Sequence, residues 1–243
     1  MIARALGQNL TSSIVQDLGV AIVTGTYSDR NPFPVEAQLC RQYGASRTAL
    51  REAVKMLTAK GLLSARPRQG TVVLPRDAWN LFDTDVLRWL LERKFSVALL
   101  LQFAELRLAI EPAGAALAAA RADPAALELI TCGFNRMERA DRGEDDALES
   151  DIEFHVAILR ASGNPFFSQF QDVVSTALHT SIRFTNRLAN LHTADLAAHR
   201  AVYKSICRHE PRQARAAMEK LLLETRAIID RAMDEGGRTH AGL

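Results

Sequence analysis

Long apolar runs are missing from this chain. No uninterrupted stretch approaches the ~18–20 apolar residues that a membrane helix needs, and the opening MIARALGQNL lacks the apolar core and cleavage signature of a secretory signal. Cysteine is scarce. Cys40, Cys132 and Cys207 stand far apart and form no CxxC pair. An odd, scattered set argues against a disulfide framework. It fits a reduced, cytoplasmic compartment in which each thiol fills core space. HExxH, GxSxG and a P-loop are absent too, which removes the commonest signatures of hydrolytic and nucleotide chemistry. What is present is an ordinary globular composition, 48% hydrophobic and 24% charged, in 243 residues, enough for one large domain or two modest ones.

The net charge of +2 conceals an asymmetry. Residues 1–76 carry ten Lys/Arg against four Asp/Glu, a net +6, while residues 77–243 carry twenty against twenty-four, a net −4. A basic head on a mildly acidic body predicts that the head meets a polyanion. Within the head, Ile14, Val15, Leu18, Ile22 and Val23 recur at helical spacing over Leu10–Thr24, and Gly25 ends the run. A Pro-rich loop leads to a short helix at Val35–Tyr43, broken by Gly44. Ser46 then caps a third helix in SRTALREAVKMLTAKG. Leu62–Arg66 and Thr71–Leu74 have strand character around a basic Pro-Arg-Gln-Gly tip. Two helices, a Gly-containing turn and a basic hairpin predict a winged helix-turn-helix over 1–77. Arg47, Thr48 and Arg51 fall on the first turn and a half of the third helix, opposite the apolar Leu50, Val54 and Leu57. A helix N-terminus entering a major groove puts such side chains at base edges and phosphates. Arg41 on the second helix and Arg68, Gln69 and Gly70 at the wing complete the expected contact set.

The segment FPVEAQLCRQYGASRTALREAVKMLTAKGLLSARPRQGTVV resembles the DNA-binding domain of the GntR family of bacterial transcription regulators. The resemblance places DNA-contacting arginines at Arg47 and Arg51 and the wing glycine at Gly70. Many members have an arginine in the second helix where this chain has Gln38.

Residues 78–92, AWNLFDTDVLRWLLE, read as a connecting region in which Trp79 and Trp89 pack against the body and Asp83 or Thr84 caps a helix. Over 93–243 nearly everything has helical periodicity, at 97–120, 124–139, 146–161, 165–188, 193–207 and 212–235. The predicted fold is mainly α, with an all-helical bundle of six or seven helices following the head. FAELRLAIEPAGAALAAAR, DIEFHVAILRASGN and AAHRAVYKSI resemble the hallmarks of the FCD ligand-sensing domain of the FadR subfamily, and WNLFDTDVLRWLLE resembles the linker of its sugar-acid-responsive members.

Asp151 and His155 lie four residues apart on one helix face, a spacing shared by metal sites, ligand clamps and ordinary solvated pairs. The resemblance decides among these. FCD domains commonly hold a divalent metal with one Asp and three His, and Asp151, His155 and His199 fall on three of those positions. The fourth falls on Leu221, which cannot ligate, so the resemblance implies a depleted zinc or nickel site with an open position, or a metal-free site whose polar groups bind the effector directly. His179 is the substitute ligand if one exists; otherwise it is a partly exposed helix histidine. Arg107 resembles the subfamily's pocket arginine and would bind an effector carboxylate, with Arg183 as a second candidate. Alternatively, Arg107 pairs with Glu111 one turn on.

The expected protein is therefore a homodimeric, effector-responsive DNA-binding regulator, a repressor, acting on a palindromic double-stranded operator under control of a small organic or sugar acid, with no membrane partner. The rivals are a metal-dependent helical-bundle enzyme, and a constitutive DNA binder without a small-molecule effector.

Overall fold

In the computed structural model, residues 2–28, 31–66, 70–93, 96–121, 123–189 and 195–240 are described. They divide into two compact units, 1–95 and 96–243.

The first unit starts with α1 (Ile2–Val23), which begins well before the expected Leu10. Its apolar stripe Ile14, Leu18, Ile22 and Val23 is fully buried. After it come α2 (Glu36–Tyr43) and α3 (Arg47–Ala59). Gly44, in the left-handed region at φ 59°, ends α2 and sends its N–H back to the Cys40 carbonyl. Ser46 opens α3 by accepting from the Ala49 N–H. Gln38 is part of the local architecture. Its Oε1 accepts from the Val35 N–H at the start of α2, closing half of a capping box. On α3 the buried face is Leu50, Ala53 and Leu57, with Val54 only half-buried, so the stripe follows the i, i+3, i+7 positions. The wing is the antiparallel pair β1 (Leu63–Arg66) and β2 (Gly70–Val73), in register from Leu63 opposite Val73 to Arg66 opposite Gly70.

A short 3₁₀ turn (Arg76–Ala78) leads to α4 (Thr84–Arg93). Asp83 caps it, accepting from the Asp85 and Val86 N–H groups. The expectation that Trp89 joins this stretch to the body is corrected. Trp89 is buried within the first unit, donates Nε1–H to Gln16 of α1 at 2.8 Å, and covers Gly19 so closely that a Cβ there would stand 2.2 Å from the ring. A tryptophan face needs a flat, small-residue partner, and α1 supplies it. Trp79 donates to the Leu74 carbonyl just after the wing. Lys60, at the end of α3, bridges Asp83 and Asp85 at 2.8 and 2.9 Å, tying that helix end to the start of α4.

The second unit is helical throughout its described residues: α5 (Val97–Arg121), α6 (Pro124–Asp141), α7 (Ala147–Ala161), α8 (Pro165–Gln169), α9 (Gln171–Ala189), α10 (Leu196–Cys207) and α11 (Pro211–His240). The helix expected over 165–188 is split at Phe170, whose N–H closes a tight bond to Phe167 while its carbonyl starts α9. Gly114, Ala115, Ala118 and Ala119 are buried along α5, with Gly114 facing Leu159 of α7 and Phe167 of α8, and α11 packs along the same helix. Ile130, Phe134, Phe154, Val202, Met218 and Leu221 fill the centre. The cysteines depart from the core-filling expectation: Cys40 is half-buried and Cys132 and Cys207 are exposed. Cys132 on α6 and Cys207 at the end of α10 fall on solvent-facing positions, where apolar character alone does not secure burial.

Candidate functional site

The head presents Arg47, Thr48 and Arg51 side by side on the exposed first turns of α3, and Arg41 is exposed in the last turn of α2. Ser46 places the helix N-terminus at this surface, so backbone amides and cationic side chains face the same way. Glu36, in the first turn of α2, is a residue that spacing did not reveal. Its carboxylate accepts from Arg51 Nε at 2.9 Å and Nη2 at 3.3 Å, and Arg47 Nε lies 3.9 Å away. The Arg51 bond holds the Glu36 carboxyl below its usual range. The pair fixes the fork of Arg51 above the helix surface, at a separation of fifteen residues that no periodicity signals. Gly70 has φ +82°, a left-handed turn that a side chain would strain, and opens β2 at the wing. Arg68 and Gln69 lie outside the described residues.

In the body, three helices bring five polar residues into the interior. Asp151 and His155 come from α7, His199 from α10, and Arg107 and Glu111 from α5. All five are at least 94% buried. An exposed, solvated Asp151–His155 pair is thereby excluded. His155 Nε2 and His199 Nε2 lie 3.2 and 3.3 Å from Asp151 Oδ1, and 3.4 Å from each other. Neither contact to Asp151 has hydrogen-bond geometry, and Oδ1 is a buried oxygen with no hydrogen bond. Ligand atoms held about 2.1 Å from a tetrahedral cation stand about 3.4 Å apart. The triangle therefore fits a divalent metal, and the unsatisfied oxygen is what such an ion would satisfy.

The outer nitrogens strengthen that fit. His155 Nδ1 lies 2.6 Å from Glu111 Oε2, and His199 Nδ1 lies 2.7 Å from the Asp195 carbonyl. Each Nδ1–H thus has an acceptor, which leaves both Nε2 lone pairs free for a metal. Glu111 is gripped in turn by Arg107, through Nε to Oε1 and Nη2 to Oε2 at 3.2 Å. Burial alone would push the Glu111 carboxyl up; Arg107 and His155 outweigh it and hold it at about 2. Burial opposes Asp151 in the same way, and the two imidazoles carry it well below the carboxylate range. For His155, burial favours the neutral ring, but the Glu111 charge prevails and its pKa is raised. The cluster attracts positive charge.

Leu221 is buried in the apolar core with Phe154 and Val202 and offers no ligand. His179 is half-buried on α9, where Nε2 meets Glu149 at 2.9 Å. Arg183 is exposed on α9 and stands outside the cluster. Arg107 takes the alternative place expected for it, paired with Glu111 one turn on through two of its nitrogens.

A winged helix-turn-helix followed by a helical body with a buried polar cluster defines an effector-responsive DNA-binding transcription regulator. Comparison with known proteins agrees. Residues 10–73 match the family of bacterial regulatory proteins, gntR family, and residues 102–224 match the FCD domain. The galactonate operon transcriptional repressor of Escherichia coli K12 is 34% identical over 90% of this chain and 97% of its own length. The uncharacterized HTH-type transcriptional regulator YieP of the same organism is 31% identical over 90% and 94%. The structure of Lar, which controls expression of the Listeria monocytogenes agr system, shares the fold with a TM-score of 0.57, at 19% identity over 91% of this chain and 96% of Lar. The chain belongs to the GntR family and carries an FCD domain; it is a transcription regulator, not an enzyme.

Proposed function

We propose that this regulator is a cytoplasmic homodimer that represses an operon of sugar-acid or related small-carboxylate metabolism. It binds a palindromic operator through two heads and releases it when the acid enters the body. The observation that carries this reading is the buried Asp151–His155–His199 triangle with an unsatisfied carboxylate oxygen. A zinc or nickel ion held there supplies a Lewis-acidic position for the effector. Arg107 and Glu111 cancel each other, and Asp151 leaves a divalent ion with one net positive charge, which one carboxylate neutralises. The name of the galactonate operon repressor supports a sugar acid as the effector class. Operator contacts fall to Arg41, Arg47, Thr48 and Arg51 on the helices and Arg68, Gln69 and Gly70 at the wing, each subunit reading a half-site. An acid that binds one arrangement of the heads better than the other shifts the DNA-bound population by that difference.

The test is a mobility-shift assay with fragments upstream of the protein's own gene, at low salt, with aldonic acids added in the presence of zinc or of EDTA. Retardation that an acid relieves with zinc and not with EDTA is expected. No retarded fragment at low salt would sink the operator reading; relief unaffected by EDTA would sink the metal.

A further inference from the structure

We propose that Glu111 is the positioning residue of the body site. It holds the proton of His155 on Nδ1, so that Nε2 is presented to the cation, and Arg107 serves as the counter-ion of Glu111 rather than as the anchor of the effector. The proposal rests on the metal reading above and adds to it a residue and a division of labour.

Three observations carry it. First, Glu111 Oε2 is 2.6 Å from His155 Nδ1, the shortest polar contact of that ring, and the carboxylate is 1% exposed. A carboxylate only accepts, so the proton of this bond belongs to Nδ1, and in the neutral ring Nε2 is bare. Second, Arg107 Nη2 also approaches His155 Nδ1, at 3.2 Å, but a guanidinium has no lone pair to offer. It cannot share that proton, so its productive bonds are those to Glu111. Third, His199 is oriented by the same device with a different acceptor, its Nδ1 against the Asp195 carbonyl. Two histidines from two helices, each with Nδ1 engaged and Nε2 turned to Asp151, share one purpose. Glu111 adds a full negative charge behind one of them, raising its basicity as a ligand. Arg107 lets that charge remain ionised in the interior.

Two variants and two readouts test this. Glu111→Gln keeps an acceptor and loses the charge. Arg107→Met combined with Glu111→Met removes the buried pair together, which protects the fold better than removing one partner. Chelator-stripped full-length protein is titrated with Co²⁺ and followed by its visible absorption. Both variants are expected to bind about 10–100-fold more weakly than the wild type. A double variant folded by circular dichroism that binds Co²⁺ as tightly as the wild type overturns the proposal. The second readout needs no metal. Nitrogen-edited NMR of the stripped protein at alkaline pH should show the neutral His155 ring protonated at Nδ1 in the wild type and redistributed to Nε2 in the double variant. A wild-type ring protonated at Nε2 also overturns it. If the wild type takes up no Co²⁺ but shows the Nδ1–H ring, the metal reading fails while the role of Glu111 in orienting His155 stands.

Discussion

Asp151 Oδ1 is buried beside two imidazole nitrogens without a hydrogen bond from either. An ion that binds only the folded state stabilises it by mass action, about 2.7 kcal/mol at a hundred times its Kd. Zinc is therefore expected to raise the melting temperature of the wild type, and Asp151→Asn to abolish the rise, as read by thermal shift with and without EDTA. A second carboxylate makes a different prediction. Asp145 accepts from Arg136 at 2.9 Å and Arg139 at 2.6 Å, and these bonds hold its carboxyl well below its ordinary 3.8. A depressed folded pKa contributes stability that is complete above the ordinary value and is lost as pH falls below it. Asp145→Asn should thus be less stable than the wild type near neutrality, with the gap closing below about pH 4, as measured by urea unfolding across pH. Of these residues, Asp151 and His155 were legible as a pair because i, i+4 is a local relation. His199 joined them only through family resemblance, and Glu111 was legible only as a neighbour of Arg107. Its contact with His155 spans 44 residues and depends on how α5 meets α7.

At the scale of elements, the head was the readable part. Ser46 as cap, Gly44 as stop and the 3.6-residue stripe are all local signals, so α2 and α3 begin and end within a residue or two of where they were expected. Trp89 was misplaced because its period marks it as buried without saying against what. Its partner is Gly19, seventy residues earlier. Gly19→Ala should force the indole from its seat, costing about 1–3 kcal/mol by overpacking, and chemical unfolding of the full chain should show it. If Gly19→Ala melts like the wild type, Trp89 does not pack on α1 at Gly19. The break at Phe170 carries no local signal either. Its backbone stays helical at φ −74°, ψ −11°, and no Gly or Pro marks it.

At the scale of the whole molecule, charge is the property read most directly. A head of net +6 that neutralises phosphates releases counterions, so operator affinity should fall steeply and log-linearly with salt. Arg47→Ala should lower affinity and reduce that slope by about one unit, as measured by fluorescence anisotropy over a salt series. An unchanged slope would remove Arg47 from the contact set. The sequence by itself determined the division into a basic winged helix-turn-helix and an acidic helical body, because helix period, caps, turn glycines and net charge are local or additive quantities. Only the tertiary structure decided that Asp151, His155 and His199 converge, that Glu111 stands behind one histidine, and that Arg107 and Glu111 are buried together. Those facts depend on distances between helices far apart in the chain, and such distances are set by how side chains fill the space between them.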